Sequence, residues 1–195
     1  MSVCKKVNPM QMDDKGASEF FVNDWYVQKQ TETPYLKKDY NNCVRATYKQ
    51  KPPSFFGYTV DVHNFAKGDS GKWKNSGVGF LAGQRNPASD GEAKFLVAPQ
   101  FLPKWFAGDY WVLAHENKGA TDEFAIVAGG QPKIPLADGC TFDTGVTNGS
   151  GLWIFTRKQA RDDAVVEKAK QIIVDKGISL QGLNDVKQDD CDFIF

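Results

Sequence analysis

The chain has 195 residues, with 24 basic and 24 acidic side chains, a formal net charge of +0 and no long block of either sign. That balance excludes a nucleic-acid binder, whose affinity would rest on a basic stripe. Apolar runs all fall short of the roughly 18 residues that cross a bilayer as a helix, and the length fits one domain able to bury about 70% of its unfolded surface.

Residues 1–22 carry Pro9, Gly16, many charges and little periodicity. They read as an irregular arm tied down by Cys4, with a short helical turn near Ser18 to Val22. No signal peptide is evident, so the chain is either cytosolic or a mature form whose leader has been removed. Asn23-Asp24 is a turn-forming corner from which an extended run departs, and Trp25 is a large apolar plug at its start. Short runs of strand composition then recur between Gly, Pro, Asn and Asp, predicting strands near 24–31, 43–50, 57–66, 72–84, 91–98, 109–116, 122–128 and 151–158. Short connectors suit an up-and-down meander, and the longer ones are 32–42 and 129–150. Arg157 ends the last run as Trp25 opens the first. A first and a last strand that meet would close the sheet into a barrel.

After the strands, Val165, Ala169, Ile172 and Ile173 fall at helical spacing, Asp162-Asp163 precede them and Gly177 follows. This predicts an amphipathic helix over 160–176 lying outside the barrel. The fold class is therefore mainly β: an eight-stranded antiparallel barrel over 23–158, one C-terminal outer helix, and a tail over 177–195 that is short-range extended or loop. All of it belongs to one domain, 1–195.

Cys4, Cys43, Cys140 and Cys191 form no Cys-x-x-Cys pair, and with only His63 and His115 available they lack zinc-site spacing, so no metal is expected. Two structural disulfides in an oxidising compartment, or four buried thiols in a cytosolic protein, both satisfy this count.

In order and spacing these segments resemble the lipocalins, most of all the apolipoprotein D, insecticyanin and crustacyanin branch. The Asn23-Asp24-Trp25 corner is similar to the family's Gly-x-Trp motif, with Asn23 at the glycine, and Arg157 matches the basic residue that packs on that tryptophan. Tyr110-Trp111-Val112-Leu113-Ala114, Phe124-Ala125-Ile126-Val127, Trp153-Ile154-Phe155-Thr156-Arg157 and Gly177-Ile178 follow the branch's pattern. His115 to Phe124 departs from the family's Thr-Asp-x-x-Tyr segment, with a longer turn and Phe124 at the tyrosine. The resemblance implies disulfides Cys4–Cys140 and Cys43–Cys191, a secreted or other extracytoplasmic location, an organelle lumen included, and a small apolar ligand inside the barrel.

The resemblance places Trp111 and Trp153 in that pocket, and Leu113 and Phe155 share their strand faces. Strand parity adds Tyr48, Val60, Val62 and Phe80. The competing reading is that these side chains fill the interior. Fatty acid, sterol, retinoid, carotenoid and bilin all suit an aromatic-lined cavity, and no cofactor is required beyond such a bound ligand or pigment. The connectors holding Tyr35, Leu36, Phe101, Leu102, Trp105 and Phe106 are unusually apolar. They read as a lid first, then as a contact for a membrane surface or protein partner, then as local packing.

Catalytic readings are weaker. Gly149-Ser150-Gly151 is no nucleophile elbow, Gly77-x-Gly79 lacks a dinucleotide fold's third glycine, and neither histidine has a nucleophile beside it. Asp39 upstream of Cys43 is faintly similar to the xanthophyll de-epoxidases, whose extra cysteine-rich domain is missing. No enzyme is expected. Asn148-Gly149-Ser150 is a glycosylation acceptor or simply an Asn-Gly turn.

Overall fold

The structure is a computed structural model that describes residues 3–117, 123–145 and 150–193. Its strands are β1 (Asn23–Thr31), β2 (Asn42–Gln50), β3 (Val60–Lys67), β4 (Trp73–Asn75), β5 (Leu81–Arg85), β6 (Lys94–Pro99), β7 (Gly108–Glu116), β8 (Phe124–Ala128), β9 (Ile134–Leu136), β10 (Gly139–Thr141), β11 (Leu152–Thr156) and β12 (Leu183–Asp185). Neighbours in the order β11-β8-β7-β6-β5-β3-β2-β1 pair antiparallel, and β11 returns to β1, with Val27 opposite Phe155 and Gln30 opposite Trp153. The eight strands close, so the sheet has no free edge there.

The run predicted over 72–84 is two strands. Gly77 at φ 80° and Gly79 at φ 67° turn the backbone through the left-handed region, and β4 and β5 pair with the upper and lower parts of β3 in succession. The long connector before β11 holds the β9–β10 hairpin, which carries Cys140. Gly77-x-Gly79 and Asp138-Gly139 are the turn-forming residues at these two places.

The arm forms α1 (Asp14–Phe20), earlier than predicted, because the Asp13 carboxylate accepts from the Gly16 amide at 2.7 Å and starts the helix there. The outer helix α2 runs Asp163–Asp175, with Asp162 as its cap accepting from Ala164 and Val165 amides. Its buried stripe, Val166, Ala169 and Ile173, packs on Leu113, Phe124, Ile126, Leu152 and Ile154 from the outside of β7, β8 and β11. The tail carries a short extended stretch. β12 pairs with the upper half of β1, the Lys187 amide donates to Asn41 O, and Cys43 N donates to Lys187 O. Gln188 Nε2 donates to both Val27 O and Val44 O at 2.8 Å, bridging the gap where β1 and β2 diverge. Disulfide Cys43–Cys191 fastens the tail to this wall, and Cys4–Cys140 ties the arm to the β9–β10 hairpin.

Candidate functional site: the barrel interior

In an antiparallel barrel, residues directly opposite each other share a face, so register decides what points inward. The inward cluster takes Trp25 and Val27 from β1, Val44, Ala46 and Tyr48 from β2, Val60 and Val62 from β3, Phe95 from β6, Val112 from β7, Val127 from β8 and Phe155 from β11. It divides into a filled floor and a lighter upper half.

The floor is aromatic. Phe20 and Phe21 of the arm enter the barrel, with Phe20 5.1 Å from Trp25, Phe21 4.6 Å from Phe95 and 5.2 Å from Tyr48. Tyr48 and Tyr110 share a hydroxyl hydrogen bond of 2.8 Å. Burial pushes both phenols' pKa values above the ordinary range, and for Tyr110 the neighbouring Tyr48 adds to the rise. Arg157 closes this end. Its guanidinium lies 3.8 Å from the centroid of the Trp25 ring, and its nitrogens donate to Val22 O, Asp24 O, Glu19 O and Phe20 O. Trp25 Nε1 donates to Phe20 O at 3.0 Å, which satisfies the buried indole. Glu123 Oε1 accepts from Arg157 Nε at 3.3 Å and pairs with His115 Nε2 at 2.8 Å. Burial lowers the Arg157 pKa, Glu123 offsets part of that, and the group stays charged. Asn23 holds φ 58°, the left-handed conformation that a glycine would take.

Above the floor, Val44, Ala46, Val127 and Trp153 form an apolar wall, with Leu36 and Tyr40 at the rim. Leu81, Val97 and Trp153 face inward yet remain only half-buried. Gln30 is fully buried beside Trp153; its Nε2 donates to Asn41 Oδ1 at 2.7 Å, and its Oε1 has no partner among the described residues. Lys74 Nζ reaches across the rim to Tyr35 O at 2.5 Å and sits 5.4 Å from the Tyr40 ring centroid.

The predicted pocket residues separate. Trp153 belongs to the upper wall, while Tyr48 and Phe155 are built into the floor, with Val62 opposite Tyr48 and Val60 below it on the lower part of β3. Trp111 and Leu113 are not in the pocket: β7 turns Tyr110 and Val112 inward, and Leu113 lies in the cluster under α2 with Trp111 packed against it. The register shift between Val112 and Ala114 keeps Leu113 and Ala114 both outside. Phe80 is also outside, exposed and 5.7 Å from Phe101, because it sits in the turn that interrupts β4 and β5. Leu36 packs on the inward cluster, but the 100–107 connector is no lid. It folds down the outer wall, where Tyr58 Oη donates to Leu102 O at 3.0 Å and Ala107 packs with Tyr58, Ala82 and Ala98. His63 also faces outward, 4.0 Å from Phe65. Asn148 and the middle of the turn between β7 and β8 lie outside the described residues. Among the described residues no group of three His, Cys, Asp or Glu side chains is placed to hold a metal ion.

Gln30 was hidden from sequence reasoning. Strict alternation from Trp25 and Val27 puts Lys29 inward, but a register shift between Val27 and Lys29 turns Lys29 out to Asp185 and Gln30 in.

Solved structures align with this barrel over nearly the whole chain. Insecticyanin from the tobacco hornworm Manduca sexta aligns at a TM-score of 0.59 and 14% identity, covering 94% of this chain and 85% of its own. The chain has the lipocalin fold. Lobster apocrustacyanin A1 aligns at 0.55 and 17% identity over 94% of this chain and 91% of its own. The amine-binding protein of Rhodnius prolixus, in its tryptamine complex, aligns at 0.54 and 13% over 94% and 86%. No family model and no curated protein sequence matches the chain. At such identities the shared property is the lipocalin barrel itself.

Proposed function

We propose that this lipocalin barrel binds and carries, or sequesters, a small and mainly apolar molecule in its upper half, without chemical conversion, in an oxidising extracytoplasmic compartment. The carrying observation is the set Leu81, Val97 and Trp153, which pack against the inward cluster yet stay only half-buried beside a filled aromatic floor. A concave apolar wall with few polar groups is the usual form of a small-molecule site. Gln30 Oε1, buried without a donor beside Trp153, favours a ligand that brings one hydroxyl or N–H to that wall, such as a sterol, a retinoid alcohol or a bilin. That the amine-binding protein was solved with tryptamine, a planar ring bearing an amine, fits the same pattern. Both disulfides support the compartment.

Native mass spectrometry with an absorption spectrum, on protein from its own source, tests this. A bound apolar small molecule is expected, with visible absorbance if it is a carotenoid or bilin. A clean apo mass, together with no quenching of tryptophan fluorescence by lipids, sterols, retinoids and pigments, would leave a filled barrel whose role is docking through its exposed apolar loops.

A further inference from the structure

Three segments far apart in sequence meet on the outer wall of β3, β5 and β6. Tyr58, fully buried, is their centre: its hydroxyl holds Leu102 O, and Phe56, Ala82, Ala98 and Ala107 pack around it. Phe80 and Phe101 stack at 5.7 Å on one side, with Gln100 N donating to Phe80 O. Trp105 and Phe106 stand 6.2 Å apart on the 3-10 turn over Lys104–Phe106, and Phe55 and Phe56 are 5.0 Å apart in the β2–β3 turn. Four of these rings are costly to leave in water: Phe55 is 95% exposed, Trp105 75%, Phe101 62% and Phe106 54%. A lone exposed ring needs no explanation, but a contiguous patch of them does.

We infer that this patch is a docking surface for a lipid bilayer, entered by Trp105, Phe101, Phe106 and Phe55. Two observations select this occupant. The rings project from tight turns rather than line a groove, so they suit a fluid that closes around each side chain more than a protein needing matched hollows. The charge also fits: residues 52–58, 76–82 and 99–107 contain no acidic side chain and a single basic one, Lys104, next to Trp105. Tryptophan and phenylalanine prefer the level of the lipid headgroups, and a lysine beside them is drawn to anionic lipid. The surface lies on the barrel's side, so docking leaves the rim with Tyr40 and Lys74 free. It does not rest on what fills the barrel.

The test is co-sedimentation of the full disulfide-bonded chain with vesicles of phosphatidylcholine alone and with added phosphatidylserine, read beside tryptophan quenching by brominated lipids. Binding to both is expected, stronger with phosphatidylserine. The exposed double variant Trp105→Ser/Phe101→Ser should lower the partition coefficient about tenfold or more. Lys104→Glu should remove about fivefold from anionic vesicles alone. Trp153→Ala, inside the barrel, should leave vesicle binding unchanged, which separates this surface from any cargo effect. No sedimentation of the wild type with either vesicle, or equal binding by the double variant, would overturn the inference. So would a concentration-dependent dimer of the free protein that the same double variant abolishes, since the patch would then serve a second copy.

Discussion

Arg157 concentrates much of the closed end in one side chain. It covers the Trp25 face, binds four carbonyls of the arm and corner, and shares Glu123 with His115. Replacing it by methionine strips the guanidinium from those carbonyls and leaves the partly buried Glu123 carboxylate with only His115. We expect Arg157→Met to lose about 3 kcal/mol in urea unfolding, the scale of breaking a buried charge pair, whereas Arg157→Lys should recover only part, because an ammonium cannot reach all four carbonyls and lie flat on indole. A loss under about 1 kcal/mol would mean the cap is held by packing alone. The Tyr48–Tyr110 pair makes a pH statement. Both folded-state pKa values are raised by burial, so the stability these phenols confer is intact below their unfolded value of about 10 and is lost as pH rises through the folded values. Phenolate absorbance should therefore show Tyr48 and Tyr110 titrating late, along with Tyr58 and Tyr35, whose pKa values burial also raises. Tyr48→Phe/Tyr110→Phe should shrink that late step and flatten the alkaline fall in stability.

At the scale of elements, the tail is a structural stave. Val186 reaches the inward cluster, Gln188 bridges Val27 and Val44, and Cys43–Cys191 locks the segment in place over a separation of 148 residues. Cys43 holds φ 50° inside the β2 register shift, a conformation disfavoured for a residue with a Cβ. The variant Cys43→Ser/Cys191→Ser should lose about 2 to 5 kcal/mol of stability, and limited proteolysis should cut first after Gly182, while α2 stays protected. Cleavage beginning in α2 would contradict the order of unfolding drawn here. The helix itself was legible from apolar spacing, and its start was legible in Asp162, because caps and periodicity are local. The strand break at Gly77 and Gly79 was not, since a glycine inside a strand-like run marks a bulge, a turn or nothing at all. The register shift between Val27 and Lys29 was equally hidden. Register depends on the partner strand, and one inserted residue reverses which side chain points inward.

For the whole molecule, what could be read was the closure of a barrel and the meeting of Trp25 with Arg157, because these follow from the ends of the strand series. What could not be read was the side of β7 facing the cavity. α2 covers the outer face, so both faces of that strand are apolar and alternation carries no preference; Trp111 and Leu113 belong under the helix, and Tyr110 and Val112 inside. That assignment can be tested directly, since the five tryptophans sit in five different places. Trp25 is in the floor, Trp73 stacks on Phe193 outside, Trp105 is on the exposed wall, Trp111 packs against the α2 cluster, and Trp153 alone belongs to the upper cavity wall. A ligand held in the upper half should quench Trp153 most strongly. Trp153→Ala should remove most of the quenching and weaken binding about tenfold or more, the effect of deleting a large aromatic contact, with little change in the unfolding midpoint, since the side chain is half-buried. Trp111→Ala, at a side chain half-buried against the α2 cluster, should likewise change the unfolding midpoint little but leave ligand affinity and quenching intact. The opposite pattern, affinity lost through Trp111 and kept on removing Trp153, would turn β7 inside out and place the cavity on the face that α2 covers.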